Sequence, residues 1–279
     1  MTIAIGFIFR AGIILASDSQ MSNGETKALD EKKIFRLNFI DSFYGAIAVS
    51  GDITAATYFR EILDAKTEYA VMKGGGKQLQ ELVTESMAEV RAKLLDYVDD
   101  GTTSEVQRDK HLERHRYRAI VAYYDNKHPY LYTFDSLNGI ARKAERGFVA
   151  IGSGSPTARL ILSGGKFREI EISLALGLSL YTVEACKKFD RSCGGDVQHL
   201  LLDKGMDGGA TTLGKDVIRA YSEAARSIDP KIQRFISREI VDEASKLLEE
   251  YNQAWIARQR VTAAPGPRLR KSANRKTKP

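Results

Sequence analysis

Residues 1–20, MTIAIGFIFRAGIILASDSQ, decide the fold. Ile3, Ile5, Phe7 and Phe9 alternate behind Thr2, and a second apolar run over 11–17 follows the turn Arg10-Ala11-Gly12. The pattern predicts an antiparallel hairpin. Ordering a chain end costs entropy that few contacts return. A strand that starts at residue 3 therefore points to a need to hold Thr2 still. The same hairpin brings Thr2, at its start, near Asp18, at its finish.

Working outward, KKIFRL (32–37) and YGAIAVSG (44–51) read as further antiparallel strands bounded by polar residues or glycine. Ile53 to Met72 has helical spacing, and after KGGGK the positions Leu79, Leu82, Val83, Met87, Val90 and Leu94 recur at steps of three and four. Two amphipathic helices are thus expected to cover one sheet face. Strands resume at RYRAIVAYYD (116–125), YLYTFD (130–135) and GFVAIGSG (147–154). A helix near Pro156, a longer one over about 173–188, and strands at VQHLLLD (197–203) and GGATTL (208–213) complete the set. The expected fold is α+β, a four-layer αββα sandwich of two antiparallel sheets flanked by helices. From Lys215 the chain reads as helical again, and Asp229-Pro230 supplies an N-cap and first-turn proline for a last helix reaching about Trp255. One domain over 1–255 and a disordered basic tail over 256–279 follow from the composition.

The formal charge of +6 is carried by that tail. Eight Lys or Arg and no acid lie between Arg258 and Pro279, which leaves the rest of the chain at −2. The tail lacks interleaved aromatics, so no specific nucleic acid is expected as a partner. The longest weakly polar run, 172–183, falls short of the roughly 20 residues needed to span a bilayer and reads as a buried helix, and the first apolar segment, interrupted by Arg10 and ended by Asp18, does not read as a secretory leader. With two cysteines, Cys186 and Cys193, and no second pair for a zinc site, a reducing cytoplasm is the expected compartment.

Thr2 has a small side chain of the kind before which initiator methionine is normally removed. Removal exposes an α-amine beside a hydroxyl, and an amine of pKa near 8 can serve as base to that weak oxygen nucleophile. Asp18 closes the second strand and Lys33 opens the third. If those strands are neighbours, their charges project together toward Thr2, where a lysine lowers the nucleophile's pKa or relays its proton.

Five stretches, TIAIGFIFRAGIILASDSQ, KKIFRL, AVSGDITAA, FVAIGSGS and FDRSCGGDV, in this order and spacing over about 2–213, resemble the proteasome β-subunit family of N-terminal threonine peptidases. The bacterial peptidase that works beneath an ATP-driven unfoldase ring is also similar. The resemblance implies an N-terminal-nucleophile hydrolase fold and hydrolysis of peptide bonds through an acyl-enzyme on Thr2. It also implies assembly into stacked homo-oligomeric rings fed with unfolded protein by an ATP-dependent unfoldase, with no metal and no cofactor. By position, Thr2 matches the nucleophile, Asp18 and Lys33 its charged partners, and Gly51 the glycine whose N–H stabilises the oxyanion. Ser153 matches the serine that binds the terminal amine, and Asp190 the acid that orients it. Ser22 matches a residue that pairs with substrate backbone by strand addition, and Met21, Val49 and Ile53 match positions lining the pocket before the scissile bond. Cys193 stands where the family has a serine. Its thiol is the weaker donor and acceptor, so a looser network around the amine is expected.

Other motifs carry less. KGGGK lacks phosphate-loop spacing and reads as a helix–helix loop. His111 and His115 stand four apart, but the charge around them favours a solvated insertion over 99–116 rather than a metal site. IGSGSP resembles part of a hydrolase elbow, but the one following histidine is His199, only a strand away, and the two glycines more simply allow a tight strand-to-helix turn. Two alternatives stay open: a noncatalytic ring subunit of the same fold, and an N-terminal-nucleophile amidohydrolase acting on a non-protein amide.

Overall fold

The computed structural model describes residues 2–23, 26–28, 31–37, 43–72, 79–98, 103–125, 128–139, 141–144, 146–165, 167–203 and 210–212, and then 216, 218–220 and 223. These all lie in one compact unit, Met1–Ser227, whereas the second unit, Ile228–Pro279, is outside the described residues together with the expected last helix and the basic tail. Also outside them are KGGGK and half of GGATTL, residues 208, 209 and 213.

In chain order the elements are β1 (Ile3–Ile8), β2 (Gly12–Asp18), β3 (Met21–Asn23), β4 (Thr26–Ala28), β5 (Ile34–Leu37), β6 (Phe43–Gly51), α1 (Ile53–Met72), α2 (Leu79–Asp96), α3 (Glu105–Arg114), β7 (Tyr117–Asp125), β8 (His128–Asp135), β9 (Arg142–Lys143), β10 (Phe148–Gly152), α4 (Ser155–Leu162), α5 (Ile172–Phe189), β11 (Val197–Asp203) and β12 (Ala210–Thr211). The strands form a first sheet, β10-β1-β2-β11-β12, a second, β5-β6-β7-β8-β9, and the small hairpin β3-β4, with every pairing antiparallel.

Three buried clusters show the four layers. Ile47, Val49, Phe59, Leu63, Val83 and Val121 pack the second sheet against α1 and α2. Ala4, Leu15, Ala46, Ala48, Ile120 and Leu200 fill the space between the sheets. Ile3, Ile5, Phe7, Ala16, Leu180 and Val183 pack the first sheet against α4 and α5. Strand alternation assigns each residue to its cluster: on β1, Ala4 and Ile8 face the other sheet while Ile3, Ile5 and Phe7 face the helices. Every residue of β1 and β2 is buried because both faces of the sheet are covered, which explains the near-continuous apolar run GIILA. The expected four-layer αββα sandwich is the observed one.

Local signals start the helices. Asp52 accepts the Ala55 N–H at 2.8 Å ahead of α1, Ser104 and Gln107 form a capping box on α3, and Pro156 occupies the first turn of α4. One expectation needs correction. The 172–183 run is not buried throughout, since Ile172 and Leu174 are 38% and 59% exposed; an outer-layer helix turns only one stripe to the sheet. The described part of the 99–116 insertion, 103–116, is mostly exposed, as its charge leads one to expect; α3 packs on α2 with Leu112 its buried residue, the His111 and His115 rings stand 4.6 Å apart, and His115 Nδ1 lies 3.2 Å from Asp52 Oδ2. Position 216 onward is helical where described, and Ile218 packs against the α5 cluster. Among the described residues no helix is long and apolar enough to cross a membrane.

His199 supplies a test of the core. It lies opposite Ala16 on the helix-facing side, 3% exposed, and neither ring nitrogen has a hydrogen-bond partner among the described residues. Burial pulls its pKa from 6.5 to about 4. Between those values the unfolded chain takes up a proton that the folded chain refuses, so stability falls as pH drops through this window, by up to about 3 kcal/mol. Urea midpoints measured at pH 7 and pH 4.5 should show a larger acid loss for the wild type than for His199→Leu. Equal losses would mean that other groups set the acid sensitivity.

Candidate active site

The hairpin sets Thr2 immediately before β1, 3% exposed. Its carbonyl oxygen accepts the Ser153 hydroxyl and the Gly154 N–H, each at 3.5 Å, and Ile3 pairs with Gly152. Gly152 has φ +94°, and a Cβ there would lie 2.0 Å from the Thr2 carbonyl oxygen. Only glycine lets β10 approach so closely.

At the hydroxyl the three expected groups meet. Thr2 Oγ1 donates to Asp18 Oδ1 and accepts from Lys33 Nζ. Lys33 Nζ lies 2.9 Å from Asp18 Oδ1 and also donates to the Gln20 carbonyl. Asp18 in turn accepts the Ile3 N–H at 3.0 Å and the Gly194 N–H at 2.9 Å. The Lys33 and Asp18 side chains are 3% and 0% exposed. Burial pulls the Lys33 ammonium below its ordinary range, against the opposing charge and hydrogen bond of Asp18. A lysine so placed gives up its proton more readily than one in water.

The route by which Lys33 arrives differs from the expectation of neighbouring strand ends. β2 belongs to the first sheet and β5 to the second, so Asp18 and Lys33 meet across the gap between packed sheets. Alternation identifies strands but does not say which sheet each joins.

Ser153, Asp190 and Cys193 form a second group around residue 2. Asp190 follows α5 and accepts the Ser192 N–H at 2.9 Å, while Cys193 Sγ donates to its other oxygen at 3.6 Å. Partial burial pushes the Asp190 carboxyl up, and the bonds from Ser153, Ser192 and Cys193 more than reverse it, leaving it below the usual carboxylate range. Burial, with Asp18 and Asp190 nearby, pushes the Cys193 thiol well up, and the Cys186 thiol is pushed up to about 12. Cys193 is thus a protonated donor to Asp190, at the longer distance sulfur imposes. A thiol held protonated is a poor nucleophile.

Gly51 ends β6 with φ +101°, and a Cβ there would lie 2.4 Å from the Arg116 carbonyl oxygen, which accepts the Asp52 N–H at 3.0 Å. Two residues earlier, the Val49 N–H binds the Lys33 carbonyl at 3.0 Å, so Gly51 and Lys33 share one end of the second sheet. Of the pocket positions, Val49 is 1% exposed within the α1 cluster, and Ile53 is half-buried against it. Met21 and Ser22 lie in β3, with Ser22 opposite Lys27; their side chains are outside the described residues.

Gly194, Gln20 and Gln198 escaped sequence reasoning because each acts through backbone or tertiary contact, and Gly152 and Gly154 were legible only as turn glycines, not as the close approach to Thr2. The run Cys193-Gly194-Gly195 held the nearest available signal. Among the described residues no group of three or more His, Cys, Asp or Glu is arranged to hold a metal.

The family model described as Proteasome subunit matches residues 2–198. The chain is 26% identical over 207 residues to the proteasome subunit beta of Methanococcus aeolicus, covering 73% of this chain and 84% of that one. Its fold is similar to that of an Anbu (Gly-1) mutant from Hyphomicrobium sp. strain MC1, with TM-score 0.65, 14% identity, and 85% and 100% of the two chains covered. A helical assembly of the Anbu complex from Pseudomonas aeruginosa is also similar, with TM-score 0.64, 16% identity, and 85% and 96% covered.

Proposed function

The chain belongs to the proteasome subunit family, and on that premise we propose that it is a threonine peptidase whose nucleophile is Thr2 after loss of Met1. One observation carries the reading: a buried hydroxyl bonded at once to the Asp18 carboxylate and the Lys33 ammonium. Thr2 Oγ1 attacks the scissile carbonyl carbon and passes its proton to the Thr2 amine, with Lys33 as the relay beside it. The oxyanion is held by the Gly51 N–H. Collapse breaks the C–N bond, the leaving amine takes the proton, and water then hydrolyses the ester on Thr2. Ser153 and Asp190, with Cys193 as thiol donor, keep the amine oriented.

Substrate backbone adds to β3 near Ser22, since the edge of β3 away from β4 carries no strand among the described residues. Met21, Val49 and Ile53 line the pocket beside it. The enzyme works in the cytoplasm as a homo-oligomer, fed with unfolded protein by an ATP-dependent unfoldase, and needs neither metal nor cofactor.

Intact-mass analysis with a peptide epoxyketone tests this. The warhead offers two electrophilic carbons, one for a hydroxyl and one for an amine, so it suits an N-terminal threonine. The wild type should lack Met1 and gain one adduct, and Thr2→Ala should gain none. Retained Met1 would end the catalytic reading in favour of a noncatalytic subunit. An adduct without peptide turnover would point to a non-protein amide as substrate.

A further inference from the structure

Lys33 must be placed to within a fraction of an ångström, yet it belongs to a different sheet from Thr2 and Asp18. Packing of alanine, leucine and isoleucine between the sheets sets their separation but holds no register along the strands, because apolar contact is non-directional. β5 is an edge strand, so its outer amides have no ladder to join.

Gln198 fills that role. It lies on β11 of the first sheet, opposite Ser17 and one residue from Val197, the partner of Asp18. Its Oε1 accepts the Lys33 N–H at 2.7 Å and the Ile34 N–H at 3.3 Å, and its Nε2 donates to the Glu31 carbonyl. The Lys33 carbonyl is taken on the other side by the Val49 N–H at 3.0 Å. The Lys33 peptide is thereby fixed between the two sheets. A primary amide suits the task because it accepts at one end and donates at the other in one plane, which neither a carboxylate nor an ammonium does.

We propose that Gln198 is a positioning residue for Lys33, tying the start of β5 to the first sheet so that Nζ reaches the Thr2 hydroxyl. The inference rests on the reading of Thr2 as nucleophile. Without the tie, β5 shifts along its neighbour, and a displacement near 1 Å at a reacting group costs on the order of a hundredfold in rate.

Three variants of the full chain, Gln198→Met, Gln198→Asn and Gln198→Glu, separate positioning from stability. Met matches the length but lacks both polar arms, Asn keeps them one methylene too short, and Glu keeps only the acceptor. For Met and Asn, kcat for peptide hydrolysis should fall ten- to a hundredfold with KM within twofold, and Glu should recover part of the loss. In parallel, ¹³Cε-lysine NMR, with Lys33→Arg for assignment, should show Lys33 titrating closer to the ordinary lysine value in Met and Asn as Nζ gains water. Should Gln198→Met fail to fold, the Asn variant carries the same readouts. A folded variant with wild-type kcat and unchanged Lys33 titration would overturn the proposal. A wild type that neither labels at Thr2 nor hydrolyses peptide would overturn the peptidase reading, and the NMR arm would still decide whether Gln198 places Lys33.

Discussion

Replacing Lys33 by methionine is expected to leave a folded protein that hydrolyses peptides about a thousandfold more slowly and takes the epoxyketone label correspondingly slowly. Positioned proton transfer contributes 10²–10⁴-fold, and Lys33 is the cation bonded to Thr2 Oγ1. Removing one partner of a buried ion pair also costs stability, about 3 kcal/mol. Asp18 keeps the Ile3 and Gly194 N–H groups and the Thr2 hydroxyl as donors, so the fold survives. Lys33→Arg separates charge from proton relay: a guanidinium keeps the charge but does not release its proton, and it should be about as inactive as the methionine variant. Steady-state kinetics with urea denaturation measure both effects. More than a tenth of wild-type activity in Lys33→Met would remove Lys33 from the reaction.

Gly152→Ala should do comparable damage from a residue that touches no substrate. The new Cβ would lie 2.0 Å from the Thr2 carbonyl oxygen and 2.8 Å from its carbon, and both atoms are backbone, so β1 must move. A shift near 1 Å at the nucleophile costs about a hundredfold in kcat. A non-glycine residue at positive φ adds about 1–2 kcal/mol of destabilisation. Gly139→Ala is the control, because Gly139 has φ +62° with nothing within 4 Å of the added carbon. It should lose similar backbone stability and keep full activity. Equal kcat in the two variants would show that the β10 approach does not set the position of Thr2.

Much of this was legible in the sequence for definite reasons. The alternation from Ile3 to Phe9 and the run to Ser17 encode a hairpin with both faces covered, and a hairpin's ends must meet, which places Thr2 by Asp18. Leu79, Leu82, Val83, Met87 and Val90 mark a helix face that is buried as its spacing demands. Lys33 was found by type and order but not by route, since no local pattern says that β5 joins the opposite sheet. The hairpin β3-β4 went unread because three-residue strands of mostly polar residues carry no period. Gln198 carries no local signal within VQHLLLD, and its three bonds exist only once β5 has been laid against β11. His115, read as part of a solvated insertion, reaches Asp52 beside Gly51 for the same reason: charge density describes a segment's solvation, not its neighbours.

The division of the site between two sheets has a consequence for the history of each molecule. The β1-β2 hairpin can form early from contacts close in sequence, and it already carries both Thr2 and Asp18. What it lacks is Lys33, which arrives only when the second sheet docks and the alanine-lined gap closes. A chain whose sheets have not yet packed would therefore hold Thr2 without its lysine, and the proposed nucleophile would be complete only once they have. For the peptidase we propose, immaturity would be its own safety catch: the group that would cut a neighbouring, still-unfolded copy is completed only with the fold.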